Sequence, residues 1–361
     1  MKVLLAGSGT GGHVIPALAI AQELRERYAA EIAFIGTERG IETRLVPNAG
    51  YPLYFVKVGA LKNVSLKTRA QTLVALPRAI ARAAQVISDL RPDVVLGVGG
   101  YASGPAMLAA ALSGVKMVAF SPDAVPGFAN RVVASMVTAA AVQFEESCRY
   151  FRRCTVTGVP VRRGFFEVPP RPHGEVPTLL IFGGSQGAHA INQAVLEALP
   201  ELRRQLPNLH LIHQTGERDY QEAQARYLSV GISAEVSPFI EQMPETFARA
   251  DLLLCRSGAS TLAEITAASR PAMLVPLPTA ADDHQRRNAE VLVHRGAALL
   301  LPQAELTASK LVDTVQILLA DPTRLGQMAA AARALAHPQA AADIARLVAR
   351  VAGRSDSAAH R

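Results

Sequence analysis

The chain opens with Lys2-Val3-Leu4-Leu5-Ala6-Gly7-Ser8-Gly9-Thr10-Gly11-Gly12-His13, a short apolar run that leads into a glycine-rich turn. Residues 2–6 have the length and apolar character of a buried strand. After the turn, Ala17, Ile20 and Leu24 recur with the period of a helix. The stretch therefore predicts a strand, a tight turn and a helix whose unpaired N–H groups suit an anion or a polar sugar.

Strand-length apolar runs alternate with helical patterns along the chain, which is typical of parallel sheets covered by helices. After residues 2–6 these runs occur at 31–36, 93–98 and 116–121, and then at 178–182, 209–214, 252–255 and 272–275. A proline-rich stretch with Pro160, Pro169, Pro170, Pro172 and Pro177 separates the two sets and is interpreted as a linker. We predict an α/β, GT-B-like arrangement of two Rossmann-like, doubly wound parallel-sheet domains facing across a cleft.

The chain of 361 residues is long enough for two hydrophobic cores. The first predicted domain covers residues 1–160 and the second covers residues 161–340. A helical pattern over residues 341–353 is a candidate to cross back to the first domain. The polar residues 354–361 are expected to be a disordered tail.

The positive charge of the chain lies in its first part. The net charge is +7, and residues 1–160 hold 17 Lys and Arg against 10 Asp and Glu, whereas the remainder holds 20 against 20. Such an excess indicates an anionic partner, such as a phosphorylated acceptor, a lipid surface or nucleic acid, although unpaired surface lysines explain it equally well. Nucleic acid is disfavoured because no interleaving of basic and aromatic residues is present.

The three cysteines, Cys148, Cys154 and Cys255, show no CxxC spacing. Neither a disulfide nor a zinc site is therefore predicted, and a reducing compartment is favoured. No apolar run approaches the roughly 18 residues of a membrane span, and the first apolar run is too short for a signal peptide. The protein is expected to be soluble or peripheral.

Two further glycine-rich turns follow predicted strands. They are Gly97-Val98-Gly99-Gly100-Tyr101-Ala102-Ser103-Gly104-Pro105 and Gly183-Gly184-Ser185-Gln186-Gly187. Because parallel α/β sheets bind ligands at the carboxyl ends of their strands, three such turns in two domains predict a ligand in the interdomain cleft. The alternative is that packing alone demands these tight turns.

A dinucleotide site competes with this interpretation. Gly7, Gly9 and Gly12 match the dinucleotide-binding pattern, and Glu38 stands a little late for its ribose-binding acid. A nicotinamide dehydrogenase is therefore an alternative prediction. Against it, His13 directly follows the glycine pair, where its imidazole can act as a general base. A lone histidine is otherwise structural or exposed.

Two later segments add polar candidates. In Arg256-Ser257-Gly258-Ala259-Ser260-Thr261-Leu262-Ala263-Glu264, small residues begin a helix. Glu264 can accept hydrogen bonds from two ribose hydroxyls, or it can simply favour the helix start. Asp282 and Asp283 stand at the start of a second predicted helix. Adjacent carboxylates there are usually caps, so neither a metal nor a cofactor is predicted.

Together these motifs resemble the MurG family of bacterial N-acetylglucosaminyltransferases, in glycosyltransferase family 28. The motifs that match are residues 9–13, 99–105, 183–187, 257–261 with Glu264, and 282–285 with Asn288, so the match covers nearly the whole chain. The resemblance implies a GT-B fold and UDP-N-acetylglucosamine as the donor. It also implies undecaprenyl-diphosphate-linked muramyl pentapeptide as the acceptor, and an inverting displacement without a metal.

The resemblance assigns roles to individual residues. His13 is implied as the catalytic base. Donor contacts are implied at Thr10, Gly11, Gly12, Arg162, Ser185, Ile240, Ala259, Ser260, Thr261, Leu262, Ala263, Glu264 and Gln285, with Asp123 as a further candidate. Acceptor-side contacts are implied at Gly100, Tyr101 and Ser103.

One segment departs from the family pattern. Phe120-Ser121-Pro122-Asp123 stand where the family usually has His-Glu-Gln-Asn. The usual glutamate is missing, and a carboxylate at Asp123 repels a sugar diphosphate unless it is paired. Two alternatives stay open: another GT-B enzyme, such as a glycolipid synthase or a UDP-sugar epimerase, and a cell-wall scaffold that binds the donor without turnover.

A basic and apolar segment is a candidate for membrane contact. Its residues are Lys62, Lys67, Arg69, Arg78 and Arg82, interleaved with Leu66, Leu73, Val74, Leu76 and Ile80. Such a segment can lie against an anionic leaflet, where each cation contributes roughly 1 kcal/mol. It can equally be a helix with a solvated basic face. The predicted location is the cytoplasmic face of the cell membrane, as a peripheral protein.

Overall fold

The computed structural model describes residues 1–59, 66–171 and 176–354, without the side chains of residues 66–73. The chain divides into two compact units, Met1–Pro160 with Gln339–Arg361, and Val161–Pro338. The predicted disordered tail lies outside the described residues except for Arg354, and Pro172 of the predicted linker lies outside them as well.

The first unit is built on seven parallel strands in the order β3-β2-β1-β4-β5-β6-β7. The strands are β1 Lys2–Gly7, β2 Glu31–Gly36, β3 Leu53–Phe55, β4 Val94–Gly99, β5 Lys116–Ser121, β6 Ala139–Val142 and β7 Cys154–Val156. The helices between them are α1 Gly11–Tyr28, α2 Glu42–Asn48, α3 Leu66–Leu90, α4 Ser103–Leu112 and α5 Phe128–Val133.

The second unit is built on six parallel strands in the order β10-β9-β8-β11-β12-β13. The strands are β8 Thr178–Phe182, β9 His210–Gln214, β10 Ala234–Ser237, β11 Leu252–Cys255, β12 Ala272–Leu274 and β13 Ala298–Leu300. The helices are α6 His189–Gln205, α7 Tyr220–Val230, α8 Met243–Arg249, α9 Ala259–Ala268, α10 His284–His294, α11 Ala308–Leu319 and α12 Pro322–Ala334.

The central strands are buried on both faces. Consecutive residues such as Leu4 and Leu5, or Leu179 and Leu180, have no exposed surface although their side chains point to opposite faces of the sheet. Because helices cover both faces, continuous apolar runs mark these strands in the sequence. The predicted fold class, two doubly wound parallel-sheet domains, is confirmed.

Both sheets have the same strand order. The first three strands are added towards one edge, and the later strands are added on the other side of the first strand. The strand order therefore reverses between β1 and β4 in the first unit and between β8 and β11 in the second. Doubly wound sheets bind ligands where the strand order reverses, at the carboxyl ends of the strands. The loops that follow these four strands hold the glycine-rich turns and the start of α9.

The last helix, α13 Ala340–Val351, belongs to the first unit. It packs on α1 and against β4, β5 and β6. Ile344, Ala345 and Val348 of this helix have no exposed surface, so they form part of the core of the first unit. The chain therefore leaves the first unit after Pro160 and returns to it at Gln339.

The prediction that the cysteines form no disulfide was wrong. Cys148 and Cys154 are joined, with their Cα atoms 5.4 Å apart, because the chain turns back between a short 3-10 helix at Glu145–Tyr150 and β7. Cys255 is a buried free thiol, and burial raises its pKa. None of the helices within the described ranges combines the length and apolar character that a membrane span requires.

Candidate active site

The first glycine-rich turn ends at the start of α1. Gly9 has a φ of +100°, a conformation that side chains disfavour. Thr10 is the N-cap of α1 and makes no capping hydrogen bond through its side chain, which is exposed. Helix starts leave N–H groups unpaired, so the amides of Gly11 and Gly12 and the Thr10 hydroxyl can receive a polar ligand.

A buried carboxylate that the sequence interpretation missed shapes this turn. Glu42 is 1% exposed, and its Oε2 accepts a hydrogen bond from the Gly9 amide at 3.0 Å. Its Oε1 accepts from the Thr37 amide at 3.0 Å and from the Thr37 hydroxyl at 2.8 Å. The one local signal was Gly40, where a Cβ would lie 1.8 Å from Glu42 Oε2. Glu38, the candidate ribose acid, is exposed instead.

The second turn packs directly on the first. A Cβ on Gly100 would lie 2.0 Å from the Ser8 carbonyl oxygen, and one on Gly99 would lie 2.7 Å from Nδ1 of His13. The Ser8 hydroxyl accepts a hydrogen bond from the Ala102 amide at 3.0 Å. The two turns therefore form one surface, and His13 lies against the backbone of Gly99.

The predicted acceptor-side residues differ in accessibility. Tyr101 is 53% exposed and can contact a ligand. Ser103 has no exposed surface, and its hydroxyl oxygen lies 2.9 Å from the position of a Cβ on Gly97. Of the three predicted acceptor-side residues, Tyr101 and the backbone of Gly100 are therefore the ones that can contact a ligand directly.

The segment that departs from the family pattern is mostly internal. Phe120 and Ser121 have no exposed surface, and the Asn130 side-chain amide donates to the Phe120 carbonyl at 2.9 Å. The Ser147 hydroxyl donates to the Asp123 carbonyl at 2.8 Å. Asp123, just after β5, is the one partly exposed residue of these four. Asp123 therefore has surface that a ligand can contact, whereas Ser121 has none.

In the second unit, Glu264 stands in the second turn of α9. Burial raises the pKa of its carboxyl to about 7, and the positive charge of Arg162 partly offsets this. Arg162 is exposed, with its guanidinium carbon 5.2 Å from the ring centroid of Phe165. Phe165 is fully buried and stacks edge-to-face on Phe247 at 5.1 Å. The structure thus brings Arg162 and Glu264 together.

The start of α9 is tied to α10. The Ser257 hydroxyl donates to the Gln285 carbonyl at 2.8 Å, and the Gln285 side-chain Oε1 accepts from the Leu277 amide at 3.0 Å. The Gln285 Nε2 has no hydrogen-bond partner within the described part of the chain, so its two N–H groups are available to a ligand. Leu262 and Ala263 are buried, and the Leu262 amide donates to the Gly258 carbonyl at 3.0 Å, so the partly buried Ser260 and Thr261 are the more accessible residues at the start of α9.

Ala259, Ser260 and Thr261 form the first turn of α9, and two further predicted donor residues lie on turns of the second unit. Ser185 is exposed between β8 and α6, and Ile240 is partly buried after β10. Asp282 and Asp283 are exposed, with φ values of 56° and 52°. In the described ranges, no three His, Cys, Asp or Glu side chains come together as a metal site would require.

Two family models cover most of the chain. One, described as the glycosyltransferase family 28 N-terminal domain, matches residues 3–142. The other, described as the glycosyltransferase family 28 C-terminal domain, matches residues 178–346.

Curated relatives match over almost their full length. The UDP-N-acetylglucosamine--N-acetylmuramyl-(pentapeptide) pyrophosphoryl-undecaprenol N-acetylglucosamine transferase of Myxococcus xanthus is 44% identical over 350 residues, which cover 96% of this chain and 91% of the relative. The protein of the same name from Syntrophotalea carbinolica is 43% identical over 358 residues, which cover 98% and 100%.

Solved structures give the same picture. The crystal structure of MurG from Acinetobacter baumannii has a TM-score of 0.83 and 31% identity, covering 97% of this chain and 99% of that chain. A crystal structure of a UDP-N-acetylglucosamine 2-epimerase has a TM-score of 0.67 at 13% identity, a likeness of fold alone.

Proposed function

Because the chain belongs to glycosyltransferase family 28, we propose that it transfers N-acetylglucosamine from UDP-N-acetylglucosamine to undecaprenyl-diphosphate-linked muramyl pentapeptide in peptidoglycan synthesis. The observation that carries the proposal is 44% identity, over 96% of the chain, to a transferase of that name. Family membership also overturns the competing prediction of a nicotinamide dehydrogenase.

The second unit is assigned to the UDP part of the donor. The ionised Glu264 carboxylate accepts hydrogen bonds from the ribose hydroxyls. Arg162 and Ser185 hold the diphosphate, and Gln285 donates from Nε2 to a sugar hydroxyl. Backbone groups of 259–263 and of Ile240 border the uridine. Accessibility supports part of the assignment, because Arg162 and Ser185 are exposed and Glu264, Gln285 and Ile240 are only partly buried. Ala259, Leu262 and Ala263 are buried.

The first unit is assigned to the sugar and the acceptor. Thr10, Gly11 and Gly12 contact the donor sugar through the unpaired groups at the start of α1, and Asp123 is a further donor contact. Tyr101 and the backbone of Gly100 contact the acceptor. His13, held against Gly99, accepts the proton that the acceptor hydroxyl loses as it attacks the anomeric carbon.

The reaction is then a single displacement that inverts the anomeric centre. As the bond to the diphosphate breaks, negative charge develops on the departing UDP. The Arg162 guanidinium, the turn at Ser185 and the start of α6, which belong to one unit, are assigned to stabilise that charge. No metal is assigned a role in this proposal.

The decisive test is transfer of radiolabelled N-acetylglucosamine to a short-chain analogue of the lipid-linked acceptor. We expect product from the wild type and a loss of about 10²- to 10⁴-fold in kcat for His13→Ala, the range of general base catalysis. His294→Ala, which changes an exposed histidine on α10, is the matched control and keeps wild-type activity. Donor binding without product would favour the non-catalytic scaffold.

An anionic membrane surface at the cytoplasmic face is proposed as a further partner. Of the predicted segment, Lys62 and the side chains of Leu66, Lys67, Arg69 and Leu73 lie outside the described residues. The rest of α3 exposes Val74 (74%) together with Arg78 and Arg82. The neighbouring helix α4, which packs on α3, ends in Leu112, 81% exposed. Exposed apolar residues beside cations suit a lipid headgroup region.

Vesicle sedimentation tests this partner. We expect binding to vesicles with anionic lipid at low salt, release at high salt, and weaker binding of Leu112→Glu. Ile317→Glu, at an exposed site on α11 of the second unit (59%, against 81% for Leu112), serves as the control and binds as wild type does. Absence of wild-type binding at low salt would remove the membrane from the proposal.

A further inference from the structure

Gln214 ends β9 and joins two segments of the second unit. It is 1% exposed. Its side-chain Nε2 donates to the Gly184 carbonyl at 2.9 Å, and its Oε1 accepts from the Ile240 amide at 2.9 Å. One buried amide therefore links the turn after β8 to the segment after β10.

The orientation of this amide is fixed by its partners. A backbone carbonyl can only accept a hydrogen bond, and a backbone N–H can only donate one. Turning the amide over would oppose two acceptors at Gly184 and two donors at Ile240. Each atom of the Gln214 amide therefore serves one segment.

The position of Gln214 in the sheet explains its reach. β9 lies between β8 and β10, and Gln214 is in register with Phe182 on one side and Ser237 on the other. All three strands are parallel, so their carboxyl ends lie along one edge of the sheet. A side chain at the end of the middle strand can bridge the loops on both sides.

The turn after β8 receives this bridge at its tip. At its far end the turn packs tightly on the backbone after β9, since a Cβ on Gly187 would lie 1.9 Å from the Thr215 carbonyl oxygen. A Cβ on Gly184 would meet nothing within 4 Å, and the backbone there has a φ of +88°. The Gly184 carbonyl accepts the turn's own backbone hydrogen bond from the Gly187 amide at 3.0 Å and a second one from Gln214. Within the described residues, Gln214 is the side chain that anchors the tip to the neighbouring strand, next to Ser185.

We propose that Gln214 is a positioning residue for the donor, whose Nε2 holds Gly184 and Ser185 in place for the diphosphate while its Oε1 holds the Ile240 segment in place for the nucleoside. The inference rests on the proposed function, which assigns the diphosphate to Ser185 and the uridine to Ile240. It goes beyond that assignment by making one buried side chain responsible for the spacing of the two subsites.

Two substitutions separate the two atoms. Gln214→Glu, studied at pH 8, keeps an oxygen acceptor for the Ile240 amide and replaces the donor to Gly184 with a second oxygen. Gln214→Met removes both groups at similar volume. Gln224→Glu, the same change at an exposed position on α7, is the matched control.

Binding of uridine and of UDP to the full-length protein is measured by calorimetry, with the melting temperature recorded for each variant. For Gln214→Glu we expect UDP to bind about tenfold more weakly, the equivalent of one lost hydrogen bond, and uridine to bind within twofold of wild type. For Gln214→Met we expect both ligands to bind more weakly. Equal weakening of uridine and UDP by Gln214→Glu, or no change, would overturn the inference.

If Gln214→Met does not fold, a double-mutant cycle that combines Gln214→Glu with Ser185→Ala still tests the inference. Ser185→Ala is expected to weaken UDP binding less in the Gln214→Glu background than in wild type, because Ser185 is already displaced there. Additive effects would contradict the inference. If the wild type binds no UDP, the proposed function fails instead, so the two failures are distinguishable.

Discussion

The raised pKa of Glu264 predicts a donor affinity that depends on pH near neutrality. Burial raises this pKa to about 7, against the partial opposition of Arg162. In the proposed site the ribose hydroxyls donate to the ionised form, so we expect donor binding to require the carboxylate. Because the pKa is raised, the carboxylate is populated above about pH 7 and lost below it. Affinity for the donor should therefore rise with pH and level off.

The magnitude follows from the fraction of Glu264 that is ionised. With a pKa of about 7, roughly nine-tenths of the protein is competent at pH 8 and roughly one-tenth at pH 6. The dissociation constant for UDP-N-acetylglucosamine should therefore be about tenfold larger at pH 6 than at pH 8. If ligand binding buries the carboxylate further, the dissociation constant at pH 8 would change, but affinity would still rise with pH.

Calorimetry with UDP-N-acetylglucosamine at pH 6, 7 and 8, without acceptor, measures this slope. Glu264→Gln cannot ionise, so its affinity should be weaker at pH 8 and nearly constant across the range. Glu245→Gln, at an exposed position on α8, should keep the wild-type slope. Equal slopes in wild type and Glu264→Gln, or a wild-type affinity that falls with rising pH, would refute the role of the carboxylate.

Two predictions concern the turns of the first unit. Glu42→Gln replaces an acceptor with an N–H group facing Gly9 or Thr37, which should cost about 1.5–3 kcal/mol in the free energy of unfolding and lower kcat/KM. Glu38→Gln, on the surface, should change neither, as denaturant titration and turnover would show. Gly100→Ala should destabilise the unit by about 3 kcal/mol, since left-handed strain of about 1–2 kcal/mol adds to the collision with the Ser8 carbonyl. Gly114→Ala, with a φ of +68° but nothing within 4 Å, should cost only the strain; equal losses at both glycines would contradict the packing.

The strands that the sequence predicted are the ones that the sheets bury. Glu31–Gly36, Lys116–Ser121, Thr178–Phe182 and Leu252–Cys255 were predicted with their observed bounds, because burial on both faces produces continuous apolar runs.

The strands that the sequence did not reveal have a common physical cause. β3, β7, β10 and β13 are the edges of the two sheets, have three or four residues and are partly exposed. β7 and β10 contain polar residues, and β3 and β13 lie in the short apolar runs 53–56 and 297–301. β6 was missed because three of its four residues are alanine, which has little preference for strands.

The candidate site divides in the same way. The glycine turns could be predicted because local backbone geometry demands residues without a Cβ. Glu42 and Gln214 could not, since each acts on backbone about 30 residues away along the chain, at Gly9 and Gly184. The disulfide between Cys148 and Cys154 was missed for a related reason, because only the turn of the intervening chain brings the thiols together. Contacts of this kind depend on which strands become neighbours.

The return of α13 to the first unit has a consequence for how the protein is made. Synthesis runs from the N-terminus, so every residue of Val161–Pro338 leaves the ribosome before α13 does. The second unit can complete its core first. Helix α1 and strands β4, β5 and β6 remain incompletely packed until α13 supplies the apolar side chains of Ile344 and Val348. A premature stop after Pro338 would therefore damage the half of the protein that was translated first. For the same reason, truncating the chain at a single position cannot yield a complete first unit. An isolated first unit needs α13 fused after Pro160.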